Sequence, residues 1–281
     1  MYNWKSPVEL LPIHFNDRET KLPVTIPQKA VLVGGKYMAS VSDDYKLITN
    51  DDAITSILCL LTDMNIKYTV PRIDFNGKRM HALIVLPDQK IVMKNGDSVE
   101  PLIHLFNSYD TTLAFSIAIA ANRHICTNYL YIGNPIIVQT IHNKNRETIS
   151  SEDVSALLSQ NILTFKMEEG KWKDFDEADF SESHFNDFQE TVPDIPQMYK
   201  TKVTELIKSL LTRNERVSAW RILNCYSYIM TSPKSLLSKQ TPTTVFGKQV
   251  QPGIEKGRDY IKYITSKMEK MILRTKQSST N

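Results

Sequence analysis

Two β-rich runs, Lys67 to Asp74 and Arg79 to Leu86, flank the dipeptide Asn76-Gly77. Asn-Gly takes the positive φ angles of a two-residue turn at little cost, so flanks of this kind fold back as an antiparallel hairpin. That hairpin commits the middle of the chain to an antiparallel sheet. Further short runs extend it. Lys90 to Met93 leads into the turn signal Lys94-Asn95-Gly96-Asp97, and Val99 to Phe106 and Tyr129 to Ile141 read as strands. Leu113 to Ala120 is too short for periodicity to separate strand from buried helix. Upstream, Val31 to Ser42 around Gly34-Gly35 reads as another hairpin.

The second half changes period. A first helix is expected after Asn50, a candidate N-cap followed by Asp51 and Asp52, with Ile54, Ile57, Leu58 and Leu61 on one face. Helical patterns return at Glu152 to Asn161, Met198 to Thr212, Glu215 to Met230 and about Glu255 to Arg274. Glu168 to Asp194 interleaves carboxylates with Trp172, Phe175, Phe180, Phe185 and Phe188. It reads as a long loop, an irregular excursion or a surface helix. Residues 1–28 hold Pro7, Pro12, Pro23 and Pro27, which oppose helix and central strand alike, so an extended arm is expected. Residues 275–281 read as a disordered polar tail. The fold class is α+β: a curved antiparallel sheet packed by helices, with a helical C-terminal part. The divisions expected are 1–28, an arm; 29–150, sheet plus helix core; 151–235, the acidic excursion and helices completing that domain; and 236–281, a basic helix and tail.

Composition narrows the classes. The apolar run Thr111 to Ala121 is far shorter than the roughly 20 residues of a membrane helix. The start of the chain lacks a signal-peptide core. No membrane is expected, and a cytoplasmic location in a bacterial host cell, or a place in a virion, follows from the resemblance below. Cys59, Cys126 and Cys225 are isolated and read as small core residues, with no disulfide framework. His81, His104, His124 and His142 do not fall at metal-ligand spacing, so no metal and no cofactor are expected. No catalytic constellation is legible, and a non-enzymatic role is expected. Net charge is +3 but unevenly spread. Residues 1–150 carry 15 Lys and Arg against 14 Asp and Glu, residues 151–199 carry 3 against 12, and residues 200–281 carry 16 against 5. A basic end of this kind suits an anionic partner; alternatively, the two regions neutralise each other within the fold.

Polar residues close the apolar run Val99 to Phe106 as Asn107-Ser108-Tyr109-Asp110-Thr111-Thr112. A second polar element follows the next run, Arg123-His124-Ile125-Cys126-Thr127-Asn128-Tyr129, and a third is Trp220-Arg221-Ile222-Leu223-Asn224-Cys225-Tyr226. With Val41 to Lys46 and Asn76-Gly77-Lys78-Arg79, these resemble a phage- and plasmid-associated family, the domain of unknown function 932, over roughly residues 29–235. Thr111 and Tyr129 stand where that family usually has Gly. The resemblance implies a β-β-β-α core similar to the Rad-fifty-two superfamily of single-strand annealing proteins.

Buried polar groups need partners, so Asn107, Ser108 and Asp110 either cap a turn or form a site. Arg123 is expected to pair with Asp110 or to touch phosphate, with Asn107, Asp110, Arg123 and Asn128 gathered in one network at a sheet end. Ser108, Asp110 and Asn224 are assigned to structural polar contacts. The candidate nucleic-acid residues are Asn107, Arg123, Asn128, Lys78, Arg79, Lys256, Arg258, Lys262 and Lys267. Basic residues interleaved with aromatics, including Arg221, Trp220, Tyr226, Tyr260 and Tyr263, suit single-stranded DNA, because bases stack while cations hold phosphates. Solvated lysines over core aromatics are the plainer alternative. The expected function is a phage or mobile-element protein that binds single-stranded DNA, as a homo-oligomer, in recombination or annealing. A phage assembly component with a phage or host protein partner, or an anti-defence protein acting through the acidic segment, is the other reading.

Overall fold

A computed structural model of the chain describes residues 3–123, 129–140, 151–231 and 250–278. Prolines shape its first sheet. β1 (Val8–Asn16), β2 (Pro23–Val33) and β3 (Lys36–Ser42) run antiparallel in that order. Pro12 lies in an edge strand, Pro23 opens β2, and Pro27 lies where the register slips between Pro12 and His14. These are places where a missing N–H costs no ladder bond. The N-terminal segment is therefore a β-ribbon rather than an extended arm, and the expected division at residue 28 falls inside β2. Gly34 and Gly35 both take positive φ, 54° and 73°, which closes the tight turn into β3.

α1 (Asn50–Asp63) is capped by Thr49, whose side chain accepts from the Asp52 amide at 3.0 Å. Asn50 is thus the first helical residue and not the cap. Ala53, Ile54, Ile57 and Leu61 form the buried stripe, and Cys59 is exposed, not a core residue. Cys126 lies outside the described residues, as do His124 and His142.

The stripe packs on a second, larger antiparallel sheet. Its strands are β4 (Thr69–Phe75), β5 (Arg79–Val85), β6 (Ile91–Val92), β7 (Ser98–Ser108), β8 (Phe115–Arg123) and β9 (Tyr129–Thr140). The order is β4-β5-β7-β8-β9, with the short β6 also paired to β7. The hairpin at Asn76-Gly77 is present: Phe75 pairs with Met80, and of the two turn residues Gly77 takes a positive φ, 94°, while Asn76 does not. The Asn76 Oδ1 accepts from the amides of Lys78 (3.0 Å) and Arg79 (2.9 Å), which holds the turn. Leu113 to Ala120 resolves as strand, because β8 is bonded on both sides, to β7 and to β9. Period-two alternation splits β7. Ile103 and Leu105 join Met80, Ala82, Ile84, Ile117 and Ile119 under α1, while Leu102, His104 and Phe106 point the other way.

α2 (Ser151–Glu177), α3 (Glu182–Thr191), α4 (Gln197–Thr212), α5 (Ala219–Thr231) and α6 (Val250–Ser278) follow. The acidic segment is helical: it forms the second half of α2 and all of α3. Trp172, Phe175, Phe180, Phe185 and Phe188 join one core with Trp220, Tyr226, Ile264 and Met268. The i, i+3 spacing of 172/175 and 185/188 puts each pair on one helix face, and burying such side chains supplies about 2–3 kcal/mol apiece. α6 runs to Ser278, through most of the expected tail; residues 279–281 lie outside the described part. The architecture is α+β, with antiparallel sheets first and helices after them. Among the described residues, no helix is long and apolar enough to cross a membrane.

Candidate functional site

The polar element at the end of β7 is a knot that ties three chain segments together. Asn107 is fully buried, and its Nδ2 donates to the Ile48 carbonyl and to Asn50 Oδ1, both at 2.9 Å. The Tyr109 hydroxyl accepts the Asn50 backbone N–H at 2.8 Å, at the start of α1. Burial pushes that phenol up to about 12. Tyr45 donates to the Ser108 carbonyl at 3.3 Å, and burial likewise raises it. Ser108 Oγ donates to the Leu113 carbonyl (2.8 Å) and accepts the Leu113 N–H (3.1 Å), closing the loop between β7 and β8.

Asp110 meets Arg79, not Arg123. Arg79 Nε lies 3.2 Å from Asp110 Oδ2 and 2.6 Å from Thr112 Oγ1, and Asp110 Oδ1 accepts the Thr112 amide at 3.1 Å and its hydroxyl. Both members of the ion pair are largely shielded from solvent. The ladder explains why Arg123 cannot join. It pairs with Val99, and Val99 lies eight residues back along β7 from Asn107. At about 3.4 Å per residue the two ends are roughly 27 Å apart. The expected four-residue network is therefore corrected: a hairpin sends Arg123 to the far end. Asn128 lies outside the described residues. Asn224 is at the far end too; its Nδ2 donates to the Trp220 carbonyl within α5. Lys78 is exposed in the β4–β5 turn, while the ion pair makes Arg79 a structural cation.

Thr111 takes φ 59°, the left-handed region. The turn keeps the backbone a Gly would adopt and carries a β-branched residue in it. That conformation costs an L-residue about 1–2 kcal/mol. Replacing Thr111 with Gly is expected to stabilise the protein by about 0.5–1 kcal/mol, after the extra flexibility of the unfolded chain is counted. A thermal melt checks it; a lowered midpoint would refute the strain.

A second knot closes the opposite end of β7, and nothing in the sequence signalled it. Asp97 and Asp176 are buried, at 2% and 1% exposure. Asp97 Oδ2 accepts the Trp220 indole N–H (3.1 Å) and Oδ1 the Ser98 amide (2.9 Å). Asn95 donates its amide (3.2 Å) and its side chain (2.8 Å) to Asp176 of α2, while its Oδ1 accepts the Asp97 N–H (2.8 Å). The turn Lys94 to Asp97 is thereby latched to the helical core.

The basic candidates fall on α6. Lys256 and Arg258 lie in its first turns, and their side chains are outside the described part. Lys262 is exposed; Lys267 is half-buried, its Nζ 5.3 Å from the Tyr263 ring centre. Ile261, Ile264, Met268 and Ile272 face the core. The opposite face shows Lys262 and Lys270, and neighbouring α4 adds exposed Lys202 and Lys208 with Glu205 between them. Tyr199 of α4 touches Tyr260 of α6 edge-on, at 6.4 Å. Trp220 and Tyr226 are fully buried and are not available for stacking; Tyr260 and Tyr263 are half-buried.

A protein-family model, Domain of unknown function (DUF932), matches residues 37–245. The chain belongs to the DUF932 family. No curated protein and no solved structure matched it. The DUF932 region runs from β3 past α5 and takes in both knots. It leaves out the whole β1–β2 ribbon and all of α6.

Proposed function

We propose that this chain binds single-stranded DNA through the outer face of α6 and the adjoining α4, as a non-enzymatic recombination or annealing factor of a phage or mobile element. The observation that carries the reading is the set Lys202, Lys208, Lys262 and Lys270. These four cations are exposed and, among the described residues, in no ion pair. Annealing needs no reacting side chains; it needs cations that hold an extended strand with its bases exposed. Tyr260 and Tyr263 lie beside this row and are the aromatic surface on offer. Kinship with the Rad-fifty-two superfamily belongs to the same proposal. What supports it is the element order β1-β2-β3-α1, although α1 packs on the other sheet. A cytoplasmic location in the host cell fits a protein that meets DNA there.

Fluorescence anisotropy with labelled single-stranded and duplex oligonucleotides tests the proposal. The single strand is expected to bind more tightly. Four phosphate contacts, each contributing about 0.7 to the salt slope, weaken binding roughly 50-fold between about 50 and 200 mM salt. Changing Lys262 and Lys270 to Glu should remove most of the affinity. Wild-type protein that leaves the single strand free at low salt would reject this function. The reading as an interaction component acting through the acidic segment would then lead, since α3 exposes unpaired carboxylates.

A further inference from the structure

We infer that the acidic outer face of α3 in one copy docks on the basic outer face of α6 in a second copy. The opposed charges of the two halves are largely not cancelled inside one chain. Among the described residues, Asp179–Arg216 (2.5 Å) and Lys171–Glu269 (3.1 Å) join 151–199 to the basic third by ion pairs, and neither involves the outer rows of α3 and α6. Glu182, Asp187 and Glu190 on α3 are exposed and, among the described residues, make no ion pair, like Lys262 and Lys270 on α6.

α3 and α6 touch within one molecule, yet among the described residues no ion pair joins these two rows. α3 and α6 both bury their inner sides in the same core, α3 through Phe185 and Phe188, and α6 through Ile261, Ile264, Met268 and Ile272. The charged rows therefore point outward, and turning either helix would expose that apolar stripe. The rows also match in length. Glu182 to Glu190 and Lys262 to Lys270 each span eight residues, about 12 Å of helix. Leu273 stands 59% exposed beside the basic row and gives the contact an apolar element. A different patch on each partner makes the contact head-to-tail, which builds a ring or a filament and leaves an acidic face at every open end. The acidic face takes the place that phosphates would occupy, so self-association and DNA compete for α6.

Sedimentation velocity without nucleic acid tests the contact. Wild-type protein is expected above monomer mass at about 50 mM salt and at monomer mass near 1 M, where screening acts within about 3 Å. Glu182→Lys/Asp187→Lys/Glu190→Lys and Lys262→Glu/Lys270→Glu should each weaken association at least about tenfold, roughly 1.4 kcal/mol. An equimolar mixture of the two variants should restore it, since each supplies the charge the other lost. A wild-type monomer at low salt, or a mixture that stays monomeric while both variants remain folded, overturns the inference. If the variants misfold, the wild-type salt series decides alone. The inference does not rest on DNA binding. The α3 variant keeps the basic row, so it should be monomeric and still bind DNA, and either property can fail without the other.

Discussion

Lowering the pH from 7 to 5 is expected to remove at least about 2 kcal/mol of folding stability, through two histidines on the sheet face away from α1. His81 Nε2 lies 2.9 Å from His104 Nδ1, and the two ring planes are parallel to within 3°. The Phe106 ring stacks on His81 at 4.6 Å. Burial holds His81 down to about 3, with Arg72 adding to the effect. Burial, and then His81, push His104 well below its usual value. In the unfolded chain each ring binds a proton near pH 6.5. Below that pH the unfolded state takes up protons that the folded state refuses. Stability is therefore highest above about pH 6.5 and falls toward pH 3, by about 2 kcal/mol at pH 5 for His81, with His104 acting in the same direction. Urea titrations at pH 5, 6 and 7 measure the slope. The variant His81→Gln/His104→Gln should lose most of it, whatever its stability at pH 7. An unchanged slope in that variant would assign the pH dependence elsewhere.

The largest single-site effect is expected at Asp97. Replacing it with Ala strips a charged acceptor from the Trp220 indole N–H and the Ser98 amide, both of which stay in place around the buried carboxylate site. Hydrogen bonds to a charged group contribute about 1.5–3 kcal/mol each, so a loss of about 3–5 kcal/mol follows. Trp220→Phe removes the indole bond alone and should cost less. The double variant should destabilise by about 1–2 kcal/mol less than the sum of the single changes, because the shared bond is lost only once. Strict additivity would mean that the Asp97–Trp220 bond does not hold the β7 turn to α5. The energies come from chemical denaturation, and near-UV circular dichroism of Trp220 reports whether the indole loses its fixed surroundings.

Several elements were readable in the residues alone because their signals are local. Asn76-Gly77 between β-rich flanks is a turn instruction, and the hairpin formed there. Gly34-Gly35 did the same for β2 and β3. Asn107, Ser108 and Asp110 were identified as polar groups at a strand end; all three are bonded, Asn107 and Ser108 buried and Asp110 half-buried. Helical periodicity located α4, α5 and α6 to within a few residues. α5 nonetheless starts at Ala219 and not Glu215, since Glu215 is engaged by Arg213 and Arg221 ahead of the helix.

Partnership across distance was not readable, because it depends on how strands are paired and not on what they contain. Arg123 and Asp110 stand 13 positions apart in sequence, close enough to suggest a contact. The β7–β8 ladder places them at opposite ends of an eleven-residue strand and gives Asp110 to Arg79 instead. The aromatics among the carboxylates of 168–194 looked the same for a loop or a helix. Only the core they share with Trp220 and Tyr226 settled the matter, by making one face of α2 and α3 worth burying. Asp97 and Trp220 are separated by 123 positions, and no spacing rule connects them. Composition alone determined that this chain carries an acidic segment before a basic third. The packing of α3 and α6 into one core decided that their charged faces are turned to solvent, since apolar burial outweighs the small return of surface ion pairs.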